Sequence, residues 1–157
     1  MVTPGTGILL NNGMMWFDPV PETANSIEGG KRPLANMCPI LVTRGSEPYL
    51  AYGASGGRKI MPAIVQIFLR VTLLGQSLAE AMAAPRIDMS REDVIADVRF
   101  GQRFADQLGR RLNRPVLLRE PALGASSWAS PVGLMRREDG EWSGGADPYT
   151  LACVLGA

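Results

Sequence analysis

Between Tyr49 and Leu74 the spacing of apolar residues changes once, and the change falls on two adjacent glycines, Gly56 and Gly57. Tyr49 to Ala54, YLAYGA, is a run of strand-forming residues. From Ile60, apolar residues recur at 60, 64, 67, 68, 71 and 74, with more at 61, 65, 69 and 73 on the other side. The first pattern predicts a strand and the second a buried helix that stops at Gly75. A strand feeding a helix through so tight a turn points to a layered fold with helix packed on sheet.

The flanking pattern extends this reading. Cys38 to Thr43, CPILVT, pairs with the 49–54 strand as a hairpin through RGSEP, and the apolar character of both strands predicts that both sheet faces are covered. Gly7 to Asn12 reads as a short strand, and Asp18 to Pro33 as a long surface loop rich in Pro, Gly and polar residues. Ser77-Leu-Ala-Glu80 has the spacing of a capping box and opens a second helix, which Pro85 stops soon after about Ala83. Strands are expected at 93–100, 115–120 and 130–139, with a short return strand at EWSGGADP, and a helix over 102–112 carries Phe104, Leu108 and Leu112 at four-residue steps. No internal repeat is visible. The expectation is one α+β domain over residues 1–157 with a largely antiparallel sheet.

Composition removes several chemistries. The chain has 157 residues, a net charge of +1 and no histidine. A Ser-His-Asp or Cys-His relay therefore has no base in this chain, and two distant cysteines, Cys38 and Cys153, do not make an ordinary zinc site. The near balance of charge gives no electrostatic case for nucleic acid or an anionic membrane. The cysteines read as reduced, buried thiols, and with no secretory-type start visible the expected location is cytoplasmic. Small molecules or proteins are the expected partners.

The glycine pair admits two readings. In one it is a tight strand-to-helix turn and nothing more. In the other it serves the first turn of the helix, where backbone N–H groups without intrahelical partners favour a negative ligand or oxyanion, and glycine lets that ligand approach. Asn36 is equally suited to bond a substrate oxygen or to cap a turn. Lys31 and Arg32 read as a solvated pair, Met14 to Phe17 as core or interface, and Asp147-Pro148 as a turn.

Five stretches carry a resemblance when taken together: PGTGILLNNGM at 4–14, NSIEGGKRPLANMCP at 25–39, GASGGRKI at 53–60, LAEAMAAPRI at 78–87 and GGADP at 144–148. In order and spacing they resemble the small subunit of gamma-glutamyltranspeptidases. The likeness is densest from Pro4 to Ile87 and thin from about 100 to 143. It implies a four-layer α-β-β-α sandwich of N-terminal-nucleophile hydrolases, cut from one precursor, in which a threonine attacks a γ-glutamyl amide and uses its own α-amino group as base. It also implies that Gly56 and Gly57 donate backbone N–H groups to the oxyanion, and that no cofactor or metal is needed.

The family's threonine lies before the PGTGILLNN stretch, so the nucleophile is expected outside these residues and the chain alone is expected to be inactive. Gly13 and Trp16 stand where relatives hold the substrate's α-amino group with polar or acidic residues, and Ala35 and Asn36 stand where they carry a Ser-Ser pair for its carboxylate. Trp16 retains a ring face able to attract a cation, and the acyl group need not be free glutamyl. The expected partners are a large subunit or upstream segment, a γ-glutamyl or other acyl amide, and a second copy of the chain. The rival expectation is a non-catalytic interaction domain that keeps the fold.

Overall fold

The computed structural model describes residues 1–123 and 127–154 and divides into two compact units, Met1–Ala35 and Asn36–Ala157. The first unit is built from turns. A 3-10 turn spans Gly13–Trp16, and isolated bridges join Val2 to Leu9 and Asp18 to Ser26. The strand expected over Gly7–Asn12 is absent. Instead Thr6 Oγ1 accepts the Ile8 amide and donates to the Thr3 carbonyl, closing a local turn where a ladder was expected. Phe17 is the buried side chain of its cluster, while Met14 and Met15 are exposed. Lys31 pairs with Glu28 and donates to Ser26.

The second unit contains a four-stranded antiparallel sheet in the order β1-β2-β6-β7, formed by Ile40–Arg44, Glu47–Ser55, Ser130–Arg136 and Trp142–Ala146. A smaller sheet, β3-β4-β5, comprises Ile87–Asp88, Val94–Asp97 and Val116–Arg119; here β4 and β5 run parallel, linked through helix α3, Gln102–Leu112. The strand expected over 93–100 ends at Asp97, whose carboxylate accepts the Arg99 amide and starts a 3-10 turn.

Helices α1, Ile60–Leu74, and α2, Leu78–Ala83, cover one face of the larger sheet. The alternation of β2 points Leu50 and Tyr52 at α1, which buries Ile60, Ile64, Ile67 and Val71 against them. Each such side chain is worth about 1.5–3 kcal/mol of burial. Gly75 takes a left-handed φ of 65° and its amide bonds the Arg70 carbonyl, ending α1. The capping box at Ser77 and Glu80 forms in both directions. Its hydrogen bonds hold the Glu80 carboxyl below the usual range.

Two expectations need correction. The second apolar stripe of α1 is not buried: Met61, Val65, Leu69 and Leu73 are exposed, as are Phe68 and Leu74 of the first, because only one flank of the helix meets the sheet. The other face of the larger sheet also bears exposed apolar side chains among the described residues, where cover on both faces was expected. Leu41, 83 % exposed, lies in register with Ala51 and Leu134, and Val132 sits opposite Gly53 on the same side. This is the face that a sandwich of two sheets encloses. Both cysteines are free, as expected, yet Cys153 is exposed and only Cys38 is half-buried. Among the described residues, no helix is long and apolar enough to cross a membrane.

Tyr52 ties strand to helix, its hydroxyl donating to the Ile64 carbonyl at 2.7 Å. Burial, with added repulsion from Cys38, pushes the phenol up to about 12. A raised folded-state value stabilises the fold fully below the unfolded value near 10 and less as pH rises through about 12. Urea unfolding of the Tyr52→Phe variant should show a loss of about 1 kcal/mol at neutral pH. That variant should also lack the part of the alkaline decline that falls between those two values.

Candidate functional site: the glycine turn and its buried support

Strand β2 leaves the sheet at Ser55, the last residue in register with β6, where it faces Ser130. Gly56 then takes φ 143° and Gly57 φ 64°, and Gly57–Lys59 forms a 3-10 turn that runs directly into α1. Neither glycine amide donates to a turn, loop or cap bond among the described residues, whereas the Gly56 carbonyl accepts the Lys59 amide. The turn is exposed at Gly56 and half-buried at Gly57.

Gly56 is required for two reasons. A φ of 143° is foreign to L side chains. A Cβ there would also fall 2.8 Å from the Ala129 Cα and 2.9 Å from its Cβ. The backbone at Ala129 therefore acts as a wall that sets how the turn is seated. Behind the turn lies a small cavity lined by Lys59, Pro62, Ala63, Arg86, Ile87, Asp88, Trp128 and Ala129.

The segment after α2 is clamped from four sides. Gln66 of α1 accepts the Ile87 amide and donates to the Ile87 carbonyl, at 2.9 and 2.7 Å. Arg70 donates to the Pro85 carbonyl, Arg99 to the Ala83 carbonyl, and the Asp97 amide to the Arg86 carbonyl. The Arg86 guanidinium, buried, pairs with Asp147 at 3.1 Å. Desolvation lowers the pKa of Arg86, and the charge and hydrogen bond of Asp147 oppose that shift. Asp97 is also buried; burial raises its pKa, but the Arg99 hydrogen bonds and charge, with Arg86, bring it below the ordinary carboxylate value.

The expected Asp147-Pro148 turn exists, with the Tyr149 amide on Asp147 Oδ1. What the sequence reading missed is that the same carboxylate neutralises a cation distant in the chain. The Arg-Ile and Ala-Asp-Pro stretches entered the sequence reading only as parts of the family resemblance, and pairing between them has no local signature.

The other sequence-derived residues are divided between the units. Trp16 and Ala35 belong to the first and Asn36 begins the second. Within the first, Asn25 joins the two candidate substrate-binding stretches: its amide donates to the Trp16 carbonyl at 2.6 Å, and its side-chain oxygen accepts the Leu34 amide at 3.0 Å. Asn25 was not singled out from sequence, since its role lies in backbone contacts. Ala35 is exposed, Trp16 and Asn36 are half-buried, and the buried Asn36 Oδ1 has no partner among the described residues. Among those residues there is no cluster of His, Cys, Asp and Glu able to hold a metal.

A four-stranded antiparallel sheet with helices on one face opens through a glycine turn into its longest helix, an α+β arrangement consistent with the scaffold of N-terminal-nucleophile hydrolases. The backbone superposes on gamma-glutamyltranspeptidase from Pseudomonas nitroreducens, solved with L-DON, at a TM-score of 0.77 and 24 % identity, covering all of this chain and 86 % of that one. A profile of the family described as Gamma-glutamyltranspeptidase matches residues 1–155, and the chain belongs to that family. It is 38 % identical over 96 residues to Glutathione hydrolase 3 of Arabidopsis thaliana, and 39 % over 85 residues to Acylase ACY 1 proenzyme of Pseudomonas sp. (strain V22). Those matches cover 55 % and 54 % of this chain and 15 % of each relative's length.

Removing one partner of the buried ion pair should be costly. Asp147→Leu strands the Arg86 charge and should destabilise the chain by about 3–5 kcal/mol. The Arg86→Met/Asp147→Leu double variant should recover much of that loss, so the two substitutions should be strongly non-additive in urea unfolding.

Proposed function

We propose that this chain supplies the oxyanion-stabilising turn and one wall of the acyl pocket in a γ-glutamyltranspeptidase-like amide hydrolase or acyltransferase. The observation that carries this reading is the Gly56–Gly57 turn. Two successive amides with left-handed φ stand just beyond the last ladder residue, at the start of α1, where the helix dipole adds to their positive potential. Donors fixed before reaction are the most effective way to stabilise charge that develops on a carbonyl oxygen.

The attacking group comes from polypeptide other than these residues. Of the six threonines, Thr6, Thr72 and Thr150 donate their hydroxyls to backbone carbonyls, and the Thr23 hydroxyl is buried. None has a histidine as base. A large subunit or precursor segment would complete the site; the similarity to a protein named as a proenzyme supports that partner. The family spacing assigns Trp16, Ala35 and Asn36 to acyl selection. The ring of Trp16 offers a face to a cation or an apolar group, Asn36 Oδ1 offers an acceptor, and Ala35 offers no polar contact. This set, together with the similarity to a protein named an acylase, favours acyl groups other than free γ-glutamyl. The second reading, a non-catalytic domain that retains the fold, draws on the same departures at Trp16, Ala35 and Asn36.

The chain alone should release no product from a γ-glutamyl anilide; time-dependent release by the pure chain would overturn the assignment of the nucleophile to other polypeptide. In a preparation that contains the nucleophile, Gly56→Ala should lower kcat by about 100-fold or more with a much smaller change in KM. Exchanging the Gly57 amide for an ester removes a donor without altering shape and should give a loss of the same order. Unchanged turnover by both folded variants would return the pair to a plain turn.

A further inference from the structure

The cavity behind the glycine turn is small, with charged and apolar groups together on its wall. It offers about 10 Å³ to water centres, close to the least that holds one water molecule. Two side chains on its wall carry buried donors without partners among the described residues: Arg86 Nη1 and Trp128 Nε1. Arg86 is 6 % exposed, and its other terminal nitrogen is already used on Asp147. Unsatisfied buried donors are costly, the more so when charged, and folded proteins rarely leave two beside one cavity.

We propose that this cavity is the site of one fixed water molecule. Its oxygen accepts from Arg86 Nη1 and Trp128 Nε1, and it donates a hydrogen to the Asp88 carboxylate. Asp88 is 4 % exposed and lines the same wall, and its Oδ1 also accepts the Ser90 amide. Three partners are the usual complement of a buried water. A halide matches the two donors but not the carboxylate beside them, and the charge of Arg86 is already balanced by Asp147. A neutral molecule that both accepts and donates satisfies all three groups.

The placement gives this water a purpose. Trp128 directly precedes Ala129, the residue whose backbone limits Gly56, and Lys59 and Pro62 of the same wall belong to the turn and the first turn of α1. Bridging Arg86 to Trp128 anchors the Ala129 backbone to the clamped 83–88 segment, and so fixes the seat of the glycine amides. The water's effect on catalysis rests on the oxyanion reading; its existence does not. Arg86, Trp128 and Asp88 are accordingly positioning residues.

A high-resolution crystal structure of the chain, soaked in bromide, tests the site directly. The expected result is one peak about 3 Å from both Arg86 Nη1 and Trp128 Nε1, with no anomalous signal. An anomalous peak would make it an anion site, and either nitrogen bonded to a protein acceptor would end the proposal. Backbone NMR relaxation then tests the consequence. Trp128→Phe should lower the order parameters of Gly56 and Gly57, while Trp142→Phe, which alters an exposed ring, should leave them as in wild type. Equal order parameters in the two variants would sink the positioning role. If Trp128→Phe does not fold, the wild-type peak still decides whether the water is there. Neither measurement involves substrate, so a failure here leaves the turnover test of Gly56 and Gly57 intact, and the converse also holds.

Discussion

The interior of the second unit depends on one buried cation. Arg86 enters a region of low polarity at a desolvation cost of several kcal/mol, which is met only if its partners are held in place. Asp147 meets one part of that need at 3.1 Å, and the carboxylate is itself fixed by the turn that follows β7, through the Tyr149 amide. The backbone of Arg86 is set independently: its carbonyl accepts the Asp97 amide, Gln66 grips Ile87 on both backbone groups, and Arg70 holds Pro85. One arginine thus joins α1, the end of α2, the smaller sheet and the last strand of the larger one. The cation is better understood as a specifier of geometry than as a source of net stability, since an apolar pair of similar volume often serves as well.

That arrangement helps to seat the glycine turn, whose carbonyls accept the Lys59 and Ile60 amides while neither glycine amide donates to a turn, loop or cap bond among the described residues. A turn at the end of a strand is normally among the looser parts of a fold. Here its two sides are set by covalent neighbours in ordered elements, β2 before it and α1 after it, and its floor is the Ala129 backbone. The space beside Gly56 is so narrow that a single added methyl would meet main chain at 2.8 Å. Glycine therefore does more than grant φ 143° and leave the amides uncovered. It lets two stretches of backbone touch.

How much of this was legible in the sequence depends on the range of the interaction involved. The α1 and α3 helices, the Ser77 capping box, the β1–β2 hairpin and the turn at Asp147 were readable because each is written in residues within about one or two helical turns of each other. Gln66 and Arg70 appeared as interruptions in an apolar run, and both prove to be the polar grips on the 85–87 segment. The Gly7–Asn12 strand failed because Thr6 offered the backbone a nearer partner. The Arg86–Asp147 pair was hidden by a separation of 61 residues, and a buried pair has no periodicity to betray it.

The candidate site was legible unevenly for the same reason. Glycine turns announce themselves because few residues take their dihedrals, so Gly56 and Gly57 stood out between a strand pattern and a helix pattern, while the oxyanion role came from the family resemblance. Trp16, Ala35 and Asn36 carry no such mark; they were found through family spacing, and the residue that binds two of those stretches together, Asn25, acts entirely through main-chain partners. The unpaired faces follow the same logic from the opposite side. Leu41, Leu134 and Val132 look in sequence like ordinary core positions, and the outer stripe of α1 looks equally buried. Apolar periodicity records which surfaces are meant to be covered, whatever chain does the covering. The sheet face and helix flank that stay exposed among the described residues, in a chain whose match covers 15 % of the length of Glutathione hydrolase 3 and of Acylase ACY 1 proenzyme, are therefore surfaces that the amphipathic pattern marks for cover.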